Sequence, residues 1–267
     1  MPPHIDPQSL WLILRVQNGF FAVPCHHVQS IMVLTDIVSI PNLPDYVRGI
    51  INHHGQVVHL IDMRIRLGIP SLNNEVSDFI EMMNAREQDH IDWVNTLNNC
   101  INEEKEFTLV TDPCRCKFGQ WYYQFLPTVT DNELKSLLES FEKPHSDIHG
   151  SALKVKQFLF EGKKSEAINL IKEKRNYELP KMMDLFTKLK EFHKKHHREV
   201  TIILESAHRQ FALIVDEVTT ISCLLWDNWQ SMDEVAGDVT AKYMSGIAEI
   251  PDSGLPVVVL DVTGLST

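Results

Sequence analysis

The sequence predicts an α+β protein, a β-rich domain interrupted by an inserted antiparallel four-helix bundle. Three observations predict it. Both ends of the chain carry short, β-branched apolar runs separated by turn residues. Between about Asn73 and Arg198 the apolar residues instead recur at three- and four-residue steps. Within that middle stretch, histidines fall on inward stripe positions on either side of the segment Cys116-Lys117-Phe118-Gly119-Gln120-Trp121-Tyr122.

The β elements follow in order. Leu10–Val16 is an apolar strand, Asn18-Gly19 a tight-turn pair, and Phe20–Val23 the returning strand of a hairpin. Val28–Val33 and Ile37–Ile40 are further short strands, and Pro41 and Pro44 break the chain. Val57–Met63 is a strand entered after Gly55, and Arg64–Ile69 a short helix closed by Gly68 and Pro70. Closely spaced short strands of this kind suggest a small barrel. After Arg198 the pattern returns: Val200–Leu204, Phe211–Val215 and Val218–Leu225 read as strands, then Ile247–Ile250 and Val257–Val262 around the turn Pro251-Asp252-Ser253-Gly254.

The helical elements carry the histidines. Ile80, Met83, Glu87, His90, Val94, Leu97 and Ile101 form one face of a long helix, so His90 points inward. Asp112-Pro113 reads as a helix start, which places Cys114 and Cys116 in a first turn whose free N–H groups favour a thiolate. From about Asp131 a third helical stretch carries Phe141, His145, Ile148, Ala152, Val155 and Leu159 inward, with His149 one turn after His145. Gly162 ends it. A fourth segment, Ser165–Lys174 and Lys181–His196, is divided at Pro180. An insertion is tolerated where the two ends of a loop lie close together, so one β domain split by a bundle is the economical layout.

Composition narrows the function. The chain has 267 residues, 43% of them hydrophobic and 23% charged, enough to build packed cores. Its net charge of −11, with no sustained Lys/Arg run, disfavours nucleic acid and anionic membranes as partners. Its apolar runs are strand-length, so no direct membrane insertion is expected. The opening Met1-Pro2-Pro3-His4-Ile5-Asp6 lacks the pattern of a secretory signal, and a cytoplasmic location is expected. Five irregularly spaced cysteines are no disulfide framework; near several histidines they suggest metal ligation or redox sensing.

A structural zinc takes four nitrogen or sulfur ligands in a tetrahedron, and three histidines with one cysteine supply them. His90, His145 and His149 with Cys116 form the candidate set, His193, His196 and His197 the reserve. Glu87, Asp89 and Asp147 are the nearby carboxylates considered as acceptors for the outer imidazole N–H groups. The pairs His26-His27 and His53-His54 have no supporting cluster. Four protein ligands leave no open position for catalytic water, and no His-Glu-x-x-His motif, phosphate-cradling loop or nucleophile elbow is present, so an enzyme is not expected.

Asp89-His90-Ile91-Asp92-Trp93, the Cys116–Tyr122 segment and His145-Ser146-Asp147-Ile148-His149 closely resemble the motifs of the chemoreceptor zinc-binding domain. The resemblance implies a four-helix bundle holding one Zn2+ per chain by three histidines and one cysteine. It selects Cys116 over Cys114 as the ligand, and leaves Cys114 and Cys116 as a candidate redox pair. Members of that family serve bacterial signalling proteins. Some sense zinc and others hypochlorous acid, and their bundles often dimerise, so a homodimer through the bundle is an expectation.

Asn42–Asn52, Gly55-Gln56-Val57-Val58 and Ile61-Asp62-Met63-Arg64, then Phe211–Val218 and Lys242–Ile247, resemble the two halves of CheW-like domains. This implies a double β-barrel of SH3-like subdomains that couples the cytoplasmic tips of chemoreceptors to the regulatory domain of a CheA-type histidine kinase. Residues 1–76 and 198–267 would be its halves and 77–197 the inserted bundle, with Arg48, His54 and Arg64 as candidate partner-binding residues. Where the family commonly has Asn-Leu-Arg-Gly, this chain has Asn52-His53-His54-Gly55, so a permanent cation becomes a group mostly neutral near pH 7. His59 likewise stands where a proline is usual. The resemblances together imply a coupling adaptor tuned by zinc or oxidants; the alternative is a stand-alone zinc or redox sensor whose β domain binds a partner outside chemotaxis.

Overall fold

The structure, a computed structural model, describes residues 8–33, 36–207, 209–232, 242–251 and 253–266. The N-terminal hexapeptide, His208 and Asp252 of the expected turn lie outside them. The chain divides into two compact units, Met1–Glu75 with His197–Thr267, and Val76–His196.

The first unit is built from eleven described strands. They are β1 (Trp11–Val16), β2 (Gly19–Pro24), β3 (Val28–Val33), β4 (Val47–His53), β5 (Gln56–Asp62), β6 (Val200–Ser206), β7 (Arg209–Val215), β8 (Glu217–Ser222), β9 (Leu225–Ser231), β10 (Met244–Glu249) and β11 (Pro256–Leu260). Two sheets result, ordered β8-β1-β2-β11-β10-β9 and β3-β6-β7-β5-β4. Each contains strands from both sides of the insertion. The junctions include the parallel pairs β2–β11 and β5–β7 and the antiparallel pairs β1–β8 and β3–β6. The two sheets correspond to the two SH3-like subdomains expected from the sequence.

Strand alternation explains the continuous apolar runs. Leu12, Leu14 and Val16 of β1 enter a core shared with Ile202, Leu204, Phe211 and Leu213 of the other sheet, while Trp11 and Ile13 face a second cluster behind it. Phe211, Leu213 and Val215 of β7 face the shared core, and Ala212 and Ile214 a third cluster. A strand buried on both faces needs no polar partner for every second residue.

Several expectations shift. The first hairpin loop is Gln17-Asn18 and not Asn18-Gly19, because Gly19 pairs with Val16 and Gln17 takes the positive φ. Ile37–Ile40 is no strand; only Val38 bridges, to Ile50. β4 and β9 form where no strand was read, since Arg48 and Gly49 interrupt one pattern and Asp227 and Asn228 the other. α1 is one turn, Met63–Arg66, capped by Asp62, whose side chain accepts from the Ile65 N–H.

The second unit continues α2 (Leu72–Glu103) and adds α3 (Lys117–Phe125), α4 (Asn132–Glu139), α5 (Glu142–Phe160), α6 (Lys164–Glu173) and α7 (Leu179–His196). Pro180 does not divide the last segment. It occupies the first turn of α7, where a missing N–H costs nothing, and the wide turn Lys174–Glu178 joins α6 to α7. Met83, Val94, Leu97, Phe118, Ile148 and Phe186 are among the residues of its single core. The C-terminal turn α8 (Val262–Leu265) belongs to the β unit.

Candidate metal centre

His90 lies on the inward stripe of α2 and is 3% exposed; His145 and His149, one turn apart on α5, are fully buried. Cys116 is not inside a first helical turn. Asp112 caps only a short 3-10 turn, Pro113–Arg115, after which Cys116 is extended (φ −71°, ψ 159°) and becomes the N-cap of α3. Its sulfur accepts the Gly119 N–H at 3.1 Å. Gly119 is required there, because a Cβ would run into the Pro113 carbonyl oxygen.

One ligand atom from each of His90, Cys116, His145 and His149 lies within 4.8 Å of every other. The sulfur is 3.2 Å from His145 Nε2 and 4.0 Å from His90 Nε2. Zinc bonds of about 2.3 Å to sulfur and about 2.0 Å to nitrogen, at tetrahedral angles, separate neighbouring donors by about 3.3–3.6 Å. The four groups therefore fit the ion with small adjustments. A buried orphan points the same way: His149 Nε2 has no hydrogen-bond partner, and its Nδ1 faces the Val110 carbonyl at 3.3 Å. His90 Nδ1 faces the Arg86 carbonyl at 2.6 Å. Backbone oxygens thus fix these two rings, and the carboxylates considered from sequence do not. Glu87 pairs with Lys190 at 2.7 Å and Asp89 with Arg86 at 3.4 Å.

Burial dominates the electrostatics. It lowers the pKa of His145 to about 3, with the charges of His90 and His149 adding to the effect. It lowers His149 to about 4, His90 again contributing, and it lowers His90 itself. For Cys116 burial raises the thiol pKa against the opposing Gly119 and Phe118 N–H groups. The expected thiolate-favouring helix end is thus outweighed, and without metal the centre is a thiol among neutral imidazoles.

The other sequence candidates are placed elsewhere. Cys114 is exposed in the 3-10 turn. Of the reserve set, His193 stacks on Phe79 and His196 on Phe192, and among the described residues these histidines form no metal-holding group. Arg48 bonds Asp62 at 2.9 Å and Glu199 at 2.8 Å. Arg64, 5% exposed, clamps Asp216 with two bonds of 2.6 and 2.7 Å and also pairs with Glu75. Both guanidinium groups are thus engaged within the β unit. His54 is exposed at the β4–β5 turn with φ 51°, followed by Gly55 at φ 82°. Sequence reasoning missed Val110 as a ring-holding acceptor; a backbone oxygen leaves no residue-type signal.

The CheW-like domain family model matches residues 10–90 and 178–267. The chemoreceptor zinc-binding domain model matches residues 90–156, a span that contains all four clustered donors. A solved structure described as the scaffolding protein TtCheW from Thermoanaerobacter tengcongensis aligns over 96% of this chain and 91% of that one, at 12% identity and a TM-score of 0.43, and that distant likeness supports nothing further. No curated protein matches significantly. Zinc is the metal of the matched middle domain, and the clustered donors suit it.

Proposed function

Since the chain belongs to the CheW-like domain family, a family of non-enzymatic scaffolds that couple chemoreceptors to CheA, we propose that it is a cytoplasmic coupling adaptor whose kinase contact is gated by metal in the inserted helical unit. Residues 1–76 and 198–267 would serve the adaptor function and 77–197 the sensing function. The observation that carries the sensing half is the buried convergence of His90, Cys116, His145 and His149. These four residues would hold the zinc, which when bound would link three elements, α2, α5 and the start of α3. The chain's own part is to keep three imidazoles neutral, two of them held by the Arg86 and Val110 carbonyls, and to give up the Cys116 proton.

Two stimuli can act on such a site. Zinc depletion removes the link. Hypochlorous acid can take two electrons from the Cys116 sulfur, leaving a sulfenic acid and chloride and weakening one ligand. Structural zinc in small modules is worth on the order of 10–16 kcal/mol, so either event can reorganise the helices. The exposed His54 is the residue assigned to receptor contact, and replacing it with arginine should strengthen receptor association; unchanged affinity would exclude it from that contact.

The test is binding of the full chain to the regulatory domain of a CheA-type kinase from the same cell, zinc-loaded and chelated. Micromolar or tighter binding that changes with zinc is expected. Zinc-independent binding would make the helical unit a separate sensor. Absence of binding in both states would overturn the adaptor role in favour of a stand-alone zinc or redox sensor.

A further inference from the structure

A cleft of about 340 Å3 opens in the helical unit between α2, α5 and the segment that follows α2. This is the size of a small-ligand site at the lower end of its range. Its floor is apolar, formed by Leu97, Ile101, Ala152 and Val155, each at most 6% exposed. Its rim is apolar too, with Leu153 65% and Leu109 42% exposed. The charges at the rim are of both signs. Lys105 is occupied by Glu103 at 2.7 Å. Among the described residues Lys156 and Glu106 form no ion pair, and they stand on different walls, Lys156 on α5 and Glu106 on the segment after α2. A plain carboxylate would suit Lys156 but meet Glu106; a plain amine would do the reverse. A molecule with an ammonium and a carboxylate on an apolar body complements the floor and both charges.

We propose that this cleft binds an apolar α-amino acid of leucine or phenylalanine size, carboxylate towards Lys156 and ammonium towards Glu106, and that its occupancy tunes the metal centre. The link is a short chain of contacts. Phe107 lines the cleft, and its ring meets Trp93 edge-on at 5.0 Å. Trp93 packs on His149 at 4.9 Å. The Trp93 indole N–H donates to the Val110 carbonyl at 2.8 Å, the same oxygen that faces His149 Nδ1. Leu109 borders both this cleft and the one lined by His90, Cys116 and His149. The segment 107–110 is therefore a shared wall, and displacing it moves the oxygen that orients a zinc-binding ring. Loss of such an outer partner typically changes metal affinity 10–100-fold, and linkage makes the effect reciprocal.

The test is calorimetric titration of the full chain with L-leucine and L-phenylalanine, zinc-loaded and chelated, beside 4-methylpentanoate and 3-methylbutylamine, which each lack one charge. Saturable one-to-one binding of an amino acid is expected, at least about tenfold tighter than either analogue. Lys156→Gln and Glu106→Gln, both at exposed positions, should each weaken it about tenfold while leaving helicity and zinc content unchanged. Saturation should shift zinc affinity, read by competition with a chelating dye, about tenfold, and Phe107→Leu should abolish that shift. No saturable heat at millimolar amino acid overturns the site, and equal binding of 4-methylpentanoate overturns the ligand class. Binding that disappears as the protein dimerises would give the cleft to a second copy instead. Equal affinity with and without zinc overturns the coupling. The coupling rests on zinc occupying the His/Cys centre; substoichiometric zinc in the untreated protein would fail that premise while leaving the amino-acid titration standing.

Discussion

Loading zinc into the chelated protein near neutral pH should release one proton, from Cys116. The perturbation is metal binding and the magnitude follows from the buried donors. His145 and His149, at about 3 and about 4, carry no proton to lose at pH 7, and His90 is shifted the same way. The Cys116 thiol is raised above its ordinary value of 9.0, so it is protonated. Zinc takes the thiolate, so binding exchanges one proton for one ion. Affinity should then rise tenfold per pH unit, about 1.4 kcal/mol each, from about pH 7 to about pH 9. Calorimetry in buffers of different protonation heat reads the stoichiometry directly, and chelator competition reads the slope. Cys116→Ser should remove most of the release and weaken binding. A release near zero in the native chain would mean that a thiolate precedes the metal. A release of two or more would mean that imidazolium groups are displaced. Either result would refute the electrostatic account of the centre.

Four further outcomes are expected. Gly119→Ala should displace the start of α3 and weaken zinc binding at least about tenfold by the geometry of a clash at a ligand's own cap; Gly150→Ala, with open space at its Cβ position, should instead stabilise α5 by up to about 1 kcal/mol, both read by chelator competition and thermal melting. Arg64→Ala removes both guanidinium bonds from the partly buried Asp216, which among the described residues keeps only the Gln17 N–H, and should destabilise the β unit by about 1–3 kcal/mol in denaturant titration; no measurable loss would contradict a structural role. In the zinc-free protein, His145 and His149 titrate far below the unfolded value of about 6.5. As pH falls the unfolded chain takes up protons first, so the stability present above about pH 6.5 is lost progressively towards pH 4 and 3. Helicity and denaturation midpoint that stay constant from pH 7 to 4 after chelation would count against this burial.

Local patterns settled much of this protein in advance. The change from strand to helical periodicity near residue 73, and back near 198, depends only on which side chains share a face. The same arithmetic turned His90 inward on α2 and set His145 and His149 one turn apart on α5, because a helix fixes the spacing of its own residues. The aromatic motif around Cys116 singled out that sulfur through its resemblance to a known domain.

The tertiary structure decided what depends on neighbours remote in sequence. Pairing of β5 with β7 and of β2 with β11 sews both halves of the chain into both sheets, and no local pattern encodes a partner some 150 or more residues away. Arg48 and Arg64, candidates for partner contact from sequence, are held by Asp62, Glu199, Asp216 and Glu75, since a charged residue's exposure is set by the carboxylates that the fold brings to it. The direction of the Cys116 shift was likewise tertiary. A helix end favours the thiolate through a few nearby N–H groups, but the packed core around the sulfur removes water from it, and desolvation is the larger effect.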